Sequence, residues 1–412
     1  MNKCDNIAWK EINLADDFWN FVSDNASTDP VKLRLKFTGK TDIPFDVDFA
    51  ITQIESRRKT ARKLPRFTAS PRTLFPTVVS AEQASDELVA SFHAGLIGGC
   101  ASVADLTAGL GIDAMCNAAN RPDRIVTAVE IDPLKCRCLR HNASALGIGN
   151  LRVMESDCLE WLREAPRHDT LFIDPARRGE NNRRTYAFSD CVPDIIGSLP
   201  LIMSRCDTLL VKASPLLDIS AILKELPRVD HIHAVGAHGE CKELLISIKD
   251  GAKFDGVTTV ELFDDGRVFT LDSEYPADPQ RCVAMTGDEP EVGFFVHEPT
   301  ATMMKTACWP AVTDRWPELR KISANTHLFI SESVAGEFPG RIWRIKSVVG
   351  KRELKKLKGE RLSVVSRNHP LTAPRIREEY RLREGDGEFL IACRWGQRET
   401  PVILQATRHI SD

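Results

Sequence analysis

No run of about 18 apolar residues occurs in the sequence, so no candidate for a membrane-crossing helix is present. The twelve cysteines include no C-x-x-C pair, which leaves neither a structural zinc site nor a redox dithiol, and no metal is expected. The tightest spacing, Cys136-x-Cys138, falls in an expected helix whose two positions face different sides. Scattered thiols suit a reducing compartment better than a disulfide framework. The first residues, Met1-Asn2-Lys3-Cys4-Asp5, lack a basic-then-apolar pattern, so a cytoplasmic setting is expected. Internal repeats and low-complexity tracts are missing as well.

What is there is ordinary globular composition: 412 residues, 42% apolar and 27% charged, enough for two or three domains. The formal net charge of −3 hides local asymmetry. Arg57 to Arg72 holds seven basic residues and no acid; Arg341 to Arg383 holds fourteen Lys/Arg against four acids, a local net of +10. Between Asp255 and Thr300 eleven acids face only Arg267 and Arg281. Two basic runs in an acidic chain suggest a face built for polyanions, although such runs also serve as solvated helix faces.

Residues 1–78 read as an N-terminal helical, basic region, broken at Asp29-Pro30 and at Pro65, Pro71 and Pro76. Ser80-Ala-Glu-Gln83 has the form of a capping box, opening a helix with Ala84, Leu88, Phe92 and Leu96 on one face. From about residue 100 the pattern alternates between strand and helix. Strands are expected at 101–106, 124–130, 150–154, 170–174 and 208–212, with helices near 112–119, 133–146, 159–164, 189–204 and 218–226. Two more strands, 231–235 and 243–248, are joined across Gly236-Ala-His-Gly239 with no helix between them. Five crossover units predict a parallel α/β sheet of the Rossmann-like kind, and the last pair predicts an antiparallel hairpin at its edge, seven strands in all. This domain is expected over 79–250. A small α+β unit over 251–335, for which a ferredoxin-like fold is one form, and a basic module over 336–412 complete the chain.

The chemistry-bearing residues sit at strand ends, where open α/β sheets bind ligands. Strand one ends in Asp105-Leu-Thr107-Ala-Gly109-Leu-Gly111, and a helix begins at Ile112-Asp113. Glycines there let a loop backbone approach a ligand and enter the helix. Glu130 ends strand two, Asp157-Cys158 follows strand three, and Asp174 ends strand four in Asp174-Pro-Ala-Arg177-Arg178. An acid at position 130 can accept from both ribose hydroxyls, and one at 157 from an adenine amino group. Asp113 and Asp157 taken singly also suit helix-capping or first-turn roles. As a set, the acids favour a cationic, ribose-bearing nucleoside over a pyrophosphate, which Asp105 would repel.

The run Asp105 to Ala114, with Glu130, Asp157 and Asp174-Pro175, resembles the class I S-adenosylmethionine-dependent methyltransferases. Glu82-Gln83-Ala-Ser85, Asp174-Pro-Ala-Arg-Arg178 and Phe338-Pro-Gly-Arg-Ile-Trp343 resemble bacterial methyltransferase-type proteins with a THUMP-like C-terminal domain. The resemblance implies S-adenosylmethionine as cofactor and RNA, tRNA or rRNA, as partner. It implies that Asp105 and the Gly109/Gly111 loop hold the methionine end, Glu130 the ribose, and Asp157 with the Cys158 backbone the adenine, with Thr107 and Asp113 also among the cofactor-binding residues. Gln83 would approach the cofactor, and Asp174 would lie beside the transferred methyl.

Asp174-Pro-Ala-Arg-Arg lacks the second proline and the aromatic residue of amino-methylating enzymes. It resembles the Asp-Pro-Pro-Arg of C5-uracil enzymes, but the cysteine nucleophile they need after strand five is replaced by Val211-Lys212-Ala-Ser214. Direct attack by a base nitrogen on the methyl remains, with the exocyclic amine of guanine favoured. Asp174 would orient the amine, and Arg177 and Arg178 would grip RNA. Lys212 reads equally as a substrate contact or a snorkelling lysine. Arg341, Arg344, Lys346, Lys351, Arg352, Lys355, Lys356 and Lys358 are candidate RNA phosphate contacts, while Trp343 reads as core and Arg367-Asn-His369-Pro as a turn. Two rivals remain: a catalytically silent RNA-binding protein that keeps the fold, and a small-molecule or protein methyltransferase.

Overall fold

A computed structural model of the chain describes residues 14–40, 42–177, 188, 191–277 and 285–409. Two compact units divide it, residues 1–230 with 245–254, and residues 231–244 with 255–412.

In the first unit the expected alternation is present. Strands β1 (Ser102–Asp105), β2 (Ile125–Glu130), β3 (Leu151–Glu155), β4 (His168–Ile173) and β5 (Cys206–Ala213) pair in parallel in the order β5-β4-β1-β2-β3. Leu171, Phe172 and Ile173 of β4 are at most 1% exposed, as a strand covered on both faces requires. Helices α7 (Ile112–Asn120), α8 (Pro133–Ala145), α9 (Cys158–Glu164), α10 (Ile195–Met203) and α11 (Ile219–Glu225) connect them. Asp132, Asp157, Asp194 and Asp218 cap the last four by accepting backbone N–H groups. Strands β6 (Val229–Ala237) and β7 (Glu240–Lys249) follow without a helix between them, and the division between units falls within them. The seven-strand expectation needs correction, because the sheet has nine strands among the described residues. β8 (Val257–Leu262) pairs in parallel with β6, and β9 (Val268–Ser273) antiparallel with β8, so β6 is not an edge. The segment Val257 to Leu262, buried throughout although it carries Thr258, Thr259 and Glu261, is what adds the eighth strand.

The N-terminal helices α1 (Asp16–Asp24), α2 (Pro30–Phe37), α3 (Val47–Thr60) and α4 (Pro65–Ala69) belong to the first unit. Gln53 and Asn142 clasp the Leu74–Phe75 backbone from two sides: Leu74 N donates to Asn142 Oδ1 at 2.6 Å and Phe75 N to Gln53 Oε1 at 2.8 Å. The basic run 57–72 is mostly structural, contrary to a polyanion-facing role. The Arg57 guanidinium donates to the carbonyls of Thr68, Ser70, Pro71 and Thr73, Lys63 to that of Glu82, and Lys59 pairs with Glu55 and Glu82. Burial lowers the Arg57 pKa to about 10.

The capping-box reading also needs correction. Helix α5 (Val78–Gln83) is capped by Thr77, breaks at Ala84–Asp86, and α6 (Glu87–Ile97) restarts on the Asp86 cap. Its buried face is Val89, Ala90, His93, Ala94 and Ile97; Leu96 is 39% exposed.

In the second unit, β10 (Phe295–Glu298), β11 (Arg320–Lys321), β12 (Phe329–Ser331), β13 (Arg341–Val348), β14 (Ser363–Arg367), β15 (Glu388–Trp395) and β16 (Thr400–His409) form a sheet in the order β11-β12-β10-β13-β16-β15-β14. Trp343 and Trp395, at most 1% exposed, anchor one core. Among the described residues no helix is long and apolar enough to cross a membrane.

Arg57→Lys keeps the charge but cannot reach four carbonyls, so it should lose about 2 kcal/mol in a urea melt. Arg72→Lys, which alters an exposed pair with Asp16, should change stability by no more than about 0.5 kcal/mol. Equal shifts in both variants would remove the structural role given to Arg57.

Candidate active site

A cavity of about 560 Å³ opens at the carboxyl ends of β1 and β4. The turn after β1 enters α7 through two left-handed glycines, Gly109 (φ 56°) and Gly111 (φ 84°). A Cβ on Gly111 would lie 2.1 Å from Leu139 Cδ1, so both its conformation and its packing demand glycine. Asp105, Thr107, Gly109, Gly111 and Asp113 all line the cavity, as do Gln83 and Asp174. Seven of the expected residues therefore meet in one place. Thr107 Oγ1 accepts from Asp174 N at 2.7 Å and so ties the ends of β1 and β4 together.

Glu130, Asp157 and Cys158 are not among the lining residues. Glu130 sits behind the glycine turn, accepting from Gly109 N at 2.8 Å and from Asp132 N at 2.9 Å. Asp157 Oδ1 caps α9 by accepting from Leu159 N and Glu160 N. Burial pushes the Cys158 thiol up to about 11. Arg178 lies outside the described residues, and the Arg177 backbone pairs with Cys191 in a short ladder.

Sequence reasoning left Ser85 and His93 without a role and Lys212 undecided. The break after α5 carries Ser85 to the cavity wall. Lys212 Nζ, from the end of β5, donates to Asp174 Oδ2 at 2.7 Å and to Ser85 Oγ at 2.9 Å. Ser85 Oγ donates to Asp113 Oδ2, and His93 Nδ1, fully buried, donates to Asp113 Oδ1 at 2.8 Å. The chain Asp174–Lys212–Ser85–Asp113–His93 runs from the cavity into the core. Lys212 had a signal, a charged residue closing an apolar strand; His93, amid the apolar face of α6, had none.

Three carboxyls share this wall, and their environments separate them. Burial disfavours the charge on Asp113, but the hydrogen bond and charge of His93, then Lys212 and Ser85, outweigh it and hold its pKa at about 2. Asp174 pairs with Lys212. Asp105 has no such ion-pair partner among the described residues. Burial first, and then the neighbouring Asp113, raise its pKa well above the ordinary range against one hydrogen bond from Thr107 N. The site thus holds one buried carboxyl whose charge is unmatched, in a cavity large enough for a nucleoside.

In the second unit, Arg341, Arg344 and Lys346 lie on the exposed positions of β13 while Ile342, Trp343 and Ile345 are buried. Lys351, Arg352, Lys355 and Lys356 are exposed on α14 (Lys351–Lys356), and Lys358 is exposed just beyond it. Lys346 pairs with Glu388 at 2.5 Å.

Residues 340–408 match a family described as THUMP domain-like, and residues 295–339 one described as a ferredoxin-like domain. A crystal structure from Porphyromonas gingivalis W83, provisionally described as a methyltransferase, is 25% identical, with a TM-score of 0.80 over 96% of this chain and 98% of that one. TrmN from Thermus thermophilus is 15% identical with a TM-score of 0.32, over 41% of this chain and 51% of that one. A modification subunit of a type I restriction enzyme from Vibrio vulnificus YJ016 is 12% identical with a TM-score of 0.32, over 48% and 56%. No curated protein matches the sequence. The chain has a methyltransferase-like fold with a THUMP-like C-terminal region.

The two buried acids should act on stability with opposite signs. A carboxyl with a raised pKa costs stability as pH climbs from about 4 through its folded value. Asp105→Asn, which keeps the acceptor for Thr107 N, should therefore melt above the unsubstituted protein at pH 8, with the gap closing toward pH 4. A carboxyl with a depressed pKa stabilises above about 4 and loses that contribution down to about 2, so Asp113→Asn should melt lower at neutral pH. Thermal melts across this range check both; an Asp105→Asn protein less stable at pH 8 would contradict the first.

Proposed function

We propose that the chain is an S-adenosylmethionine-dependent RNA methyltransferase acting on tRNA or rRNA. The acceptor is a base nitrogen, with the exocyclic amine of guanine favoured. The observation that carries this reading is the unmatched Asp105 carboxyl in a cavity walled by Asp113 and Asp174. Such a wall fits a cationic nucleoside, and the residues present fit S-adenosylmethionine. When bound, that cofactor supplies a methyl group activated by its sulfonium.

The chain's own residues then do the following. Asp105 and the Gly109–Gly111 turn hold the charged end, and Asp113, fixed by His93 and Ser85, maintains the entry to α7. Glu130 rigidifies the glycine turn through Gly109 N and offers its remaining lone pairs to ribose hydroxyls. Asp157 and the Cys158 backbone take the adenine edge, with Gln83 at the rim. Asp174 accepts a hydrogen bond from the substrate amine and orients its lone pair; Lys212 fixes that carboxylate by its ion pair at 2.7 Å. Arg177, Arg178 and the exposed Arg341, Arg344, Lys346, Lys351, Arg352, Lys355, Lys356 and Lys358 hold the RNA backbone. No metal has a part in this scheme.

A second reading is an RNA-binding protein that retains the fold without transferring methyl groups. It is favoured by the missing proline and aromatic residue after Asp174-Pro175. Calorimetric titration with S-adenosylmethionine separates the two: binding is expected, and none at near-millimolar ligand would favour the silent reading. Glu130→Ala should weaken the cofactor at least about tenfold while RNA retention stays. Lys212→Met should lower single-turnover methylation by about 10²-fold at unchanged cofactor affinity; an unaltered rate would remove Lys212 from the site.

Charge reversal at Lys355 and Lys356 should weaken RNA binding and flatten its salt dependence, leaving cofactor binding as it was. An unchanged salt slope would count against the basic module.

A further inference from the structure

A separate cavity of about 430 Å³ lies wholly within the second unit. Three turns visible in the sequence converge on it: Gly239 of the β6–β7 turn, Pro339-Gly340-Arg341, and Arg367-Asn368. Gly239 turns the chain at φ 80°. A Cβ on Gly340 would lie 1.9 Å from the Glu298 carbonyl oxygen and 2.6 Å from Phe338 Cε1, so only glycine lets this segment cross the end of β10. Asn368 stands in the left-handed region at φ 55°.

That backbone places arginines around one acid. Arg367 Nε contacts Glu298 Oε1 at 2.5 Å, and Arg341 Nη1 lies 3.6 Å from Glu298 Oε2. Glu298 is buried, with a side chain 10% exposed, whereas the two arginine side chains are 58% and 45% exposed and reach solvent. Arg408 lines the same cavity, is exposed, and makes no side-chain hydrogen bond or ion pair among the described residues. Three guanidinium groups against one carboxylate leave two positive charges in surplus. On the cavity wall, His327 is stacked on Trp309 at 4.8 Å with rings 13° apart. Its Nδ1 is buried with no hydrogen-bond partner among the described residues. Pro299 and Met304 add apolar wall.

We propose that this cavity binds a nucleoside monophosphate group. Its dianionic phosphate rests on Arg341, Arg367 and Arg408, and its base lies against the His327 side of the wall. Guanidinium forks suit phosphate oxygens, and a surplus of two charges matches a monoester better than a diester. The volume leaves room for a nucleoside beside the phosphate. Glu298 acts here as a resident anion that holds the arginines together and competes with the ligand for them. The same chemistry comes from a free mononucleotide or from the phosphorylated end of an RNA. The site does not depend on methyl transfer, which is proposed for the other unit.

The test is calorimetric titration of AMP into the full chain, with and without saturating S-adenosylmethionine, which should make no difference. Arg408→Gln should weaken AMP about tenfold. Glu298→Gln should tighten it severalfold, an outcome that a purely structural ion pair would not produce. Arg398→Gln, exposed in the second unit but off the cavity, should have no effect. Displacement of AMP by a short RNA only when that RNA carries a 5′-phosphate assigns the site to an RNA end. Failure of both RNAs to displace bound AMP assigns it to a free nucleotide. No AMP binding at millimolar concentration, equal displacement by 5′-hydroxyl RNA, or weaker binding by Glu298→Gln would each overturn the proposal.

Discussion

The first unit is organised around a charge constraint: three carboxyls on one cavity wall cannot all be ionised without cations beside them. The fold gives two of them a basic partner. His93, buried in α6, serves Asp113, and Lys212, at the end of β5, serves Asp174. Ser85 joins the two pairs, so the α5–α6 break, the α7 entry and the ends of β4 and β5 are held by a single polar chain. Such a network is worth keeping only if every member is satisfied, because a half-paired buried acid costs more than an apolar replacement. Asp105 is the exception, and its pKa rises accordingly. An uncompensated acid beside two compensated ones marks where a cation is wanted.

The second unit handles opposite charge in the same way. Glu298 is enclosed by Arg341 and Arg367, while Arg408 has no acid. The excess is again on the side facing the cavity. Many of the other basic residues of this half are spread over exposed strand and helix positions, where each contributes field rather than a defined contact. A basic surface gathers a polyanion; a convergent arginine set can discriminate one phosphate from its neighbours.

Much of this was legible in the sequence, for specific reasons. Parallel strands covered on both faces read as continuous apolar runs, so β1 to β5 were placed within a few residues, and the acids at their ends followed from where such sheets bind ligands. The Gly109–Gly111 turn was visible because positive φ demands glycine. What did not show depends on tertiary contact. Four carbonyls surround Arg57, and nothing in the run 57–72 distinguishes a guanidinium bound to carbonyls from one facing RNA. The break at Ala84–Asp86 was hidden because Thr77 and Asp86 cap two short helices while Ser80-Ala-Glu-Gln83 imitates one cap. His93 was invisible because its partner lies twenty residues away on another helix. The Val257–Leu262 strand falls in the α+β unit expected over 251–335, and its addition beside β6 did not show, since pairing partners are not encoded by local pattern.

Asp105 also links stability to binding. A buried acid with a raised pKa penalises the fold wherever pH exceeds its ordinary value, yet Asn could retain the one hydrogen bond it makes, to Thr107 N. Keeping aspartate there is intelligible if the charge is used when a positive ligand arrives. Linkage then requires reciprocity: whatever cation stabilises the ionised form lowers its pKa, so that cation binds more tightly as pH rises through the free protein's value. Asp113 cannot take this part, because His93 and Lys212 already hold it ionised down to about 2. Between Asp105 and Asp113, Asp105 is the one whose charge is left for a positive ligand to restore. If the cavity takes S-adenosylmethionine as proposed, Asp105 is the residue through which it would distinguish the sulfonium from its neutral thioether product.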